Sequence, residues 1–174
     1  LVVGHVGRFN QQKNHLFLIE TFNEMVKIDN NAVLLLVGKG ELETAIKNRV
    51  VELRLEDKVL FLGVRDDIPQ LMAAIDLIVF PSLYEGMPNT IIEAQALGVP
   101  CIISDTITEE VKLTELVREK SLSESSDEWA REGIKLYNQF CGTRERYCDE
   151  LISMGYGIEQ CSKDFIQTVF NREV

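Results

Sequence analysis

The chain has 174 residues, 45% hydrophobic and 26% charged, which suits one α/β core in a soluble globular domain. A formal net charge of −10 excludes nucleic acid as a partner held by bulk electrostatics, but leaves room for a diphosphate gripped by one or two cations and a helix N-terminus. No run of about 18 apolar residues is present to span a bilayer, and the start LVVGHVG lacks the basic flank and cleavage site of a signal peptide, so a cytoplasmic location is expected.

Val2 to Val6 reads as a buried strand that begins without a lead-in loop, so the chain is expected to be a piece of a longer protein. A loop runs to Lys13, and a helix is predicted from Asn14 to Ile28, with Leu16, Ile19, Phe22 and Val26 at helical spacing. Strand Val33 to Val37 leads through Gly38-Lys39-Gly40 to a helix over Glu41 to Leu53 whose Leu42, Ile46, Val50 and Leu53 share one face. A third strand is expected over Lys58 to Leu62. The aspartates of the loop Gly63 to Asp67 then cap a short helix ending at Ala74, and Leu77 to Phe80 forms a fourth strand stopped by Pro81.

The loop Ser82 to Met87 opens a helix with Pro88 in its first turn, where a missing N–H costs least, closed near Leu97 by Gly98. Val99 to Ile103 is a fifth strand and Leu113 to Val117 a sixth. Ser125 to Glu128 has the form of a capping box for a helix to about Phe140, and two more helices are predicted over Arg144 to Met154 and Glu159 to Phe170. This alternation of short apolar runs and amphipathic stretches predicts βαβ units and a parallel sheet covered on both faces, in a single domain spanning 1–174.

Three constellations could carry chemistry. Arg8 and Lys13 follow the first strand, where open α/β sheets bind ligands; a guanidinium fork and a mobile ammonium together suit a diphosphate. As residues they are equally well explained as solvated loop cations. Glu85 and Glu93 flank the start of a helix whose free N–H groups attract an anion. Glu93, inside an apolar helix, needs donors such as a ribose diol unless it faces solvent. Gly38-Lys39-Gly40 is a tight turn that either faces phosphate or is purely structural; Glu43 stands where a dinucleotide fingerprint has its third glycine. Cys101, Cys141, Cys148 and Cys161 form no C-x-x-C pair and read as buried reduced thiols, while His5 and His15 read as structural.

Taken together, these residues resemble the carboxyl-terminal, donor-binding domain of the family-four retaining glycosyltransferases of the two-domain B-type (GT-B) fold. Val6-Gly7-Arg8 with Lys13, Leu36 to Gly40, Val59 to Gly63, Asp76-Leu77, Phe80-Pro81-Ser82, Glu85-Gly86 and Glu93 to Pro100 stand in that family's order, over roughly residues 1 to 105. The resemblance implies a Rossmann-like three-layer α/β/α domain with a parallel sheet of about six strands. The stretch Cys101 to Thr108 resembles members that assemble bacterial capsule or exopolysaccharide.

By that resemblance, Arg8 and Lys13 hold the donor diphosphate and act in catalysis with Glu85, which takes the transferred sugar's hydroxyls. Glu93 holds the ribose, and backbone groups from Met87, Pro88, Asn89 and Thr90 assist with Gly38 and Gly40. The base lies against Gly63, Val64 and Arg65. The donor is a nucleotide-diphosphate sugar, a UDP-sugar in preference to a GDP-sugar, and no metal or separate cofactor is implied; Asp66-Asp67 is no D-x-D motif. A glycan or lipid-linked acceptor is expected through a missing amino-terminal domain, toward which the helices from about 144 would pack. The whole protein would work in the cytoplasm, with peripheral attachment at the inner face of the membrane. Asn14 and Met87-Pro88 depart from the family, which often has glycine and Phe-Gly there. Alternatives left open are a nucleotide-sugar epimerase of the same fold and a non-catalytic nucleotide-binding module.

Overall fold

The computed structural model describes residues 1–142 and 147–157. Six parallel strands, β1 (Val2–Val6), β2 (Val33–Val37), β3 (Val59–Gly63), β4 (Leu77–Phe80), β5 (Cys101–Ser104) and β6 (Val117–Lys120), form one sheet in the order β3-β2-β1-β4-β5-β6. The central strands β4 and β5 are buried along their whole length, as in a sheet covered on both faces, while the edge strands β3 and β6 are partly exposed.

Alternate residues of the strands feed two cores. Leu34, Leu36, Leu77, Val79 and Ile102 point to one side, where α1 (His15–Ile28), α2 (Glu43–Glu52) and α5 (Ser126–Phe140) cover them with Leu18, Phe22, Ile46 and Trp129. Ile78, Phe80, Cys101 and Ile103 point to the other, beneath α3 (Ile68–Ala74) and α4 (Asn89–Ala96), through Met72, Ile91 and Ala94. The three-layer Rossmann-like architecture is therefore as expected.

Close approach explains two glycines. A methyl on Gly4 would come within 2.3 Å of Ile75, and one on Gly133 within 2.7 Å of Met25, so α3 presses on β1 and α5 on α1 only because no side chain intervenes. The capping box at the start of α5 is present: Ser125 Oγ accepts from Glu128 N at 3.3 Å, and Ser125 N donates to Glu128 Oε2 at 2.8 Å.

The structure corrects three local expectations. The helix expected at Glu41 begins at Glu43, because Gly40 and Leu42 are held in a turn against Phe9, whose carbonyl accepts Leu42 N at 3.0 Å. The sixth strand is Val117–Lys120 rather than Leu113–Val117. Most of the apolar run, Leu113 to Leu116, is a loop and turn that follow a 3₁₀ turn at Glu109–Val111, and the strand itself is an edge carrying Arg118, Glu119 and Lys120. Cys101 is buried as read, but Cys141 is exposed and Cys148 half-buried. Beyond α5 a short helix α6 (Cys148–Leu151) runs into a π-type turn at Ile152–Tyr156, which overlaps the end of the predicted 144–154 helix. The helix expected over 159–170 and Cys161 lie outside the described residues. Among the described residues no helix is long and apolar enough to cross a membrane.

Candidate functional site

The strand order reverses between β1 and β4: the chain leaves β1 toward β2 and leaves β4 toward β5, so the loops after these two strands diverge and open a crevice at their carboxyl ends. The β1–α1 loop and the β4–α4 loop form its walls. They are fastened to each other by Leu83 N donating to Gln12 O at 2.7 Å and by Gln12 Nε2 donating to Tyr84 O at 2.9 Å.

Between them Lys13 Nζ lies 2.5 Å from Glu85 Oε1, and both side chains are largely enclosed, 16% and 12% exposed. Lys13 also sits 4.5 Å above the Phe80 ring. Its loop is shaped by Asn10, whose Oδ1 accepts Lys13 N at 3.1 Å, and by Asn14, which starts α1 in the left-handed region at φ 52. Asn14 occupies that conformation where the family often has glycine, and asparagine is the side chain best able to replace it there.

Glu85 is held from the far side as well. Ser82 O accepts from Ser104 Oγ at 2.5 Å and from Thr106 Oγ1 at 2.9 Å, and Glu85 pairs with Ile107 as an isolated parallel bridge. Three residues at and just after the end of β5 thus support the loop that carries this carboxylate. Sequence reasoning did not find these supports, nor Gln12; small hydroxyl residues directly after a strand were the available signal.

At α4 the N-cap is Pro88, buried and unable to donate, and no side chain caps the helix. Asn89 and Thr90 therefore begin a helix whose first N–H groups have no side-chain acceptor among the described residues, while Ile91 N donates to Pro88 O at 3.0 Å. Thr90 Oγ1 reaches Val6 O at 3.5 Å, which keeps this turn close to the end of β1. Glu93 follows one turn later. Its carboxylate is exposed and has no partner among the described residues, yet the surrounding chain removes enough water to push its pKa above the usual range. The solvent-facing alternative for Glu93 describes its exposure correctly, and the partial desolvation describes its setting.

Arg8 stands apart from Lys13. Its guanidinium points to Glu41 Oε2 at 3.3 Å and is mostly exposed, beside an open depression of about 480 Å³ lined by Arg8, Lys39, Gly40 and Glu43. Gly38 and Gly40 owe their identity to packing. Gly38 has φ +133 and a methyl there would fall 2.1 Å from Gly7 O, while one on Gly40 would fall 2.3 Å from Phe9 O. Gly63, at φ +68, faces open space; Val64 is exposed, and Arg65 forks onto Asp67 at 2.8 and 2.7 Å. Met87 is partly exposed beside Glu85.

Beneath Lys13 lies an aromatic floor. His5 Nδ1 donates to Val79 O at 3.0 Å, which leaves Nε2 as the lone-pair nitrogen, and the His5 ring stands 4.5 Å from His15 and 5.1 Å from Phe80. Burial, with Lys13 nearby, holds His5 down at about 4; burial, with His5 and Lys13, holds His15 at about 2. Both rings are neutral at physiological pH, so Glu85 is the group that balances Lys13. Among the described residues no three of His, Cys, Asp and Glu converge as a metal-binding group would.

Comparison with known proteins adds to this geometry. A family model described as Glycosyl transferases group 1 matches residues 1–139. The EpsF protein of Bacillus subtilis (strain 168), which carries a glycosyltransferase name, is 40% identical over 161 residues, 92% of this chain and 42% of its own length. A UDP-Gal:alpha-D-GlcNAc-diphosphoundecaprenol alpha-1,3-galactosyltransferase of Escherichia coli is 44% identical over 105 residues, 58% of this chain and 27% of its own length. Among solved structures, Anabaena Alr3699/HepE in complex with UDP superposes with a TM-score of 0.80 at 24% identity, over 98% of this chain and 49% of that one, a likeness of fold. The chain thus spans less than half the length of these proteins.

Proposed function

The chain belongs to the group 1 glycosyl transferases, and on that premise we propose that it forms the donor half of a retaining transferase that moves a hexose from a nucleotide-diphosphate donor to a glycan or lipid-linked acceptor. The observation that carries this reading is the enclosed Lys13–Glu85 pair at the carboxyl ends of β1 and β4, beside the uncapped start of α4. It supplies a cation and a helix N-terminus for a diphosphate, and a carboxylate for sugar hydroxyls, within one crevice.

In this reading Lys13, Arg8 and the first N–H groups of α4 take the diphosphate, and Glu93 takes the ribose hydroxyls. Glu85 orients the sugar. When the bond between the anomeric carbon and the terminal phosphate oxygen breaks, its electron pair stays on that oxygen, where the cation and the helix dipole stabilise the developing charge. The acceptor oxygen bonds to the carbon on the same face, and its proton passes to the departing diphosphate. The buried Pro88 in place of a donor leaves Lys13 and Arg8 a larger share of that stabilisation. The exposed loop Gly63–Val64–Arg65 is assigned to the base.

UDP is the favoured nucleotide, a choice supported by the UDP held in the Anabaena structure and by the UDP-Gal donor in the Escherichia coli relative's name. That name also supports a lipid-linked acceptor, and we propose that the whole protein works at the inner face of a membrane in making cell-surface polysaccharide. Calorimetry of the folded chain with UDP, GDP and ADP tests the proposal. Binding of UDP is expected, weakened about tenfold by Arg8→Ala or Glu93→Ala; binding of none of the three would overturn it.

A further inference from the structure

We propose that the Lys13–Glu85 ion pair is a latch that occupies the site in the absence of ligand and makes it select a sugar-bearing diphosphate over the bare diphosphate, with Glu85 as the discriminating residue. The inference rests on the donor-site reading above and adds to it a rule of selectivity.

The pair is set apart from the other ion pairs of the described residues by its enclosure. Its side chains are 16% and 12% exposed, whereas in Arg8–Glu41 they are 71% and 57% exposed and in Lys27–Glu24 62% and 21%. Exposed pairs exchange with water at little cost, but opening an enclosed pair leaves a charge stripped of both partner and solvent. Among the described residues Lys13 is given no second acid to turn to: the neighbours beneath it are the Phe80 ring and two neutral imidazoles. Glu85 is given no second cation among the described residues; its backbone is held by the Ile107 bridge, and its loop by the Ser82 carbonyl contacts to Ser104 and Thr106.

A ligand entering this crevice must therefore settle both charges. A sugar diphosphate does so, since the phosphate replaces Glu85 on Lys13 while sugar hydroxyls replace Lys13 on Glu85. A bare diphosphate satisfies only Lys13. Moreover, a phosphate oxygen at ~2.8 Å from Nζ stands about 5 Å or less from the Glu85 carboxylate, given the 2.5 Å contact, and the bare diphosphate carries an additional negative charge there. Glu85 thus favours the ligand that bears a sugar and repels the one that has lost it. After transfer the same carboxylate recovers Lys13 and drives the nucleoside diphosphate out.

Calorimetric titration of the wild-type chain, Glu85→Gln and Glu85→Ala with UDP and with UDP-glucose tests the latch, with circular dichroism confirming the fold of each. The expected result is counterintuitive for a site residue. Glu85→Gln binds UDP about tenfold more tightly than wild type, while its preference for UDP-glucose over UDP falls by about tenfold or more. Glu85→Ala gives the same direction and decides the matter if the glutamine variant does not fold. UDP affinity that is unchanged or lower in the folded variants, in a wild-type chain that does bind UDP, overturns the latch and leaves the donor site standing. A wild-type chain that binds no nucleoside diphosphate overturns both.

Discussion

The two ends of the parallel sheet use their polar groups in opposite ways. At the amino end everything is stitched: Asp76 Oδ2 accepts Val2 N at 2.8 Å while Val2 O accepts Asp76 N at 2.8 Å, and Asp29 accepts from Asn31 N at 2.9 Å. At the carboxyl end donors and acceptors are left over. Of the buried side-chain atoms without a partner among the described residues, His5 Nε2, both nitrogens of His15 and Ser82 Oγ all lie there, and only Thr21 Oγ1 does not. Among the described residues no side chain caps the start of α4, and Glu93 is partly desolvated without a partner. Unspent hydrogen-bonding capacity costs stability. Its concentration at one end of the sheet supports the proposal that this end holds a ligand.

Acid should expose the largest difference between the ends. Both buried histidines sit at the carboxyl end with pKa values lowered from 6.5 to about 4 and about 2. The unfolded chain therefore binds protons that the folded one refuses. The stability involved is fully present above pH 6.5 and is lost as the pH falls, through about 4 for His5 and on toward about 2 for His15, with a slope approaching ~2.7 kcal/mol per pH unit where both groups contribute. Urea unfolding at stepped pH measures it, and His15→Leu is expected to reduce the slope by about 1.4 kcal/mol per unit. Because neither ring nitrogen of His15 has a partner, the variant should not be less stable than wild type at pH 7. An unchanged slope would remove the histidines from the account.

Next in size is Gly38→Ala, expected to cost about 2–3 kcal/mol in the same assay, since it combines a positive φ with a clash against a backbone oxygen. Smallest is Asp76→Ala at the amino end. It should cost about 1–2 kcal/mol through the orphaned Val2 N–H. UDP affinity should stay within twofold of wild type, and a larger loss of binding would mean that the two ends are not separable.

Much of the fold was legible from the chain because short apolar runs and helical periodicity report burial directly, and the strands from Val2–Val6 to Leu77–Phe80 fell within a residue of their predicted bounds. The sixth strand was displaced because Val117–Lys120 is an edge, where charges replace the apolar signal. Lys13 and Glu85 were each recognisable, but their contact was not, since 72 residues separate them and only the pairing of β1 with β4 brings them together. Arg8 was grouped with Lys13 by proximity in sequence, yet its loop turns it outward to Glu41. The histidines looked inert; only the packed floor under Lys13 reveals what they surround.

The 72-residue gap between Lys13 and Glu85 also has a consequence in time. Contacts that close long stretches of chain carry their entropy cost before they return any stabilisation, so they form late in folding. The first wall of the crevice is complete once β1 has paired with β2, but the second waits for β4 to dock on the other side of β1. Competence to hold a ligand is therefore expected only once β4 has docked. In a refolding experiment, the appearance of nucleotide binding would serve as a clock for the docking of the second half of the sheet.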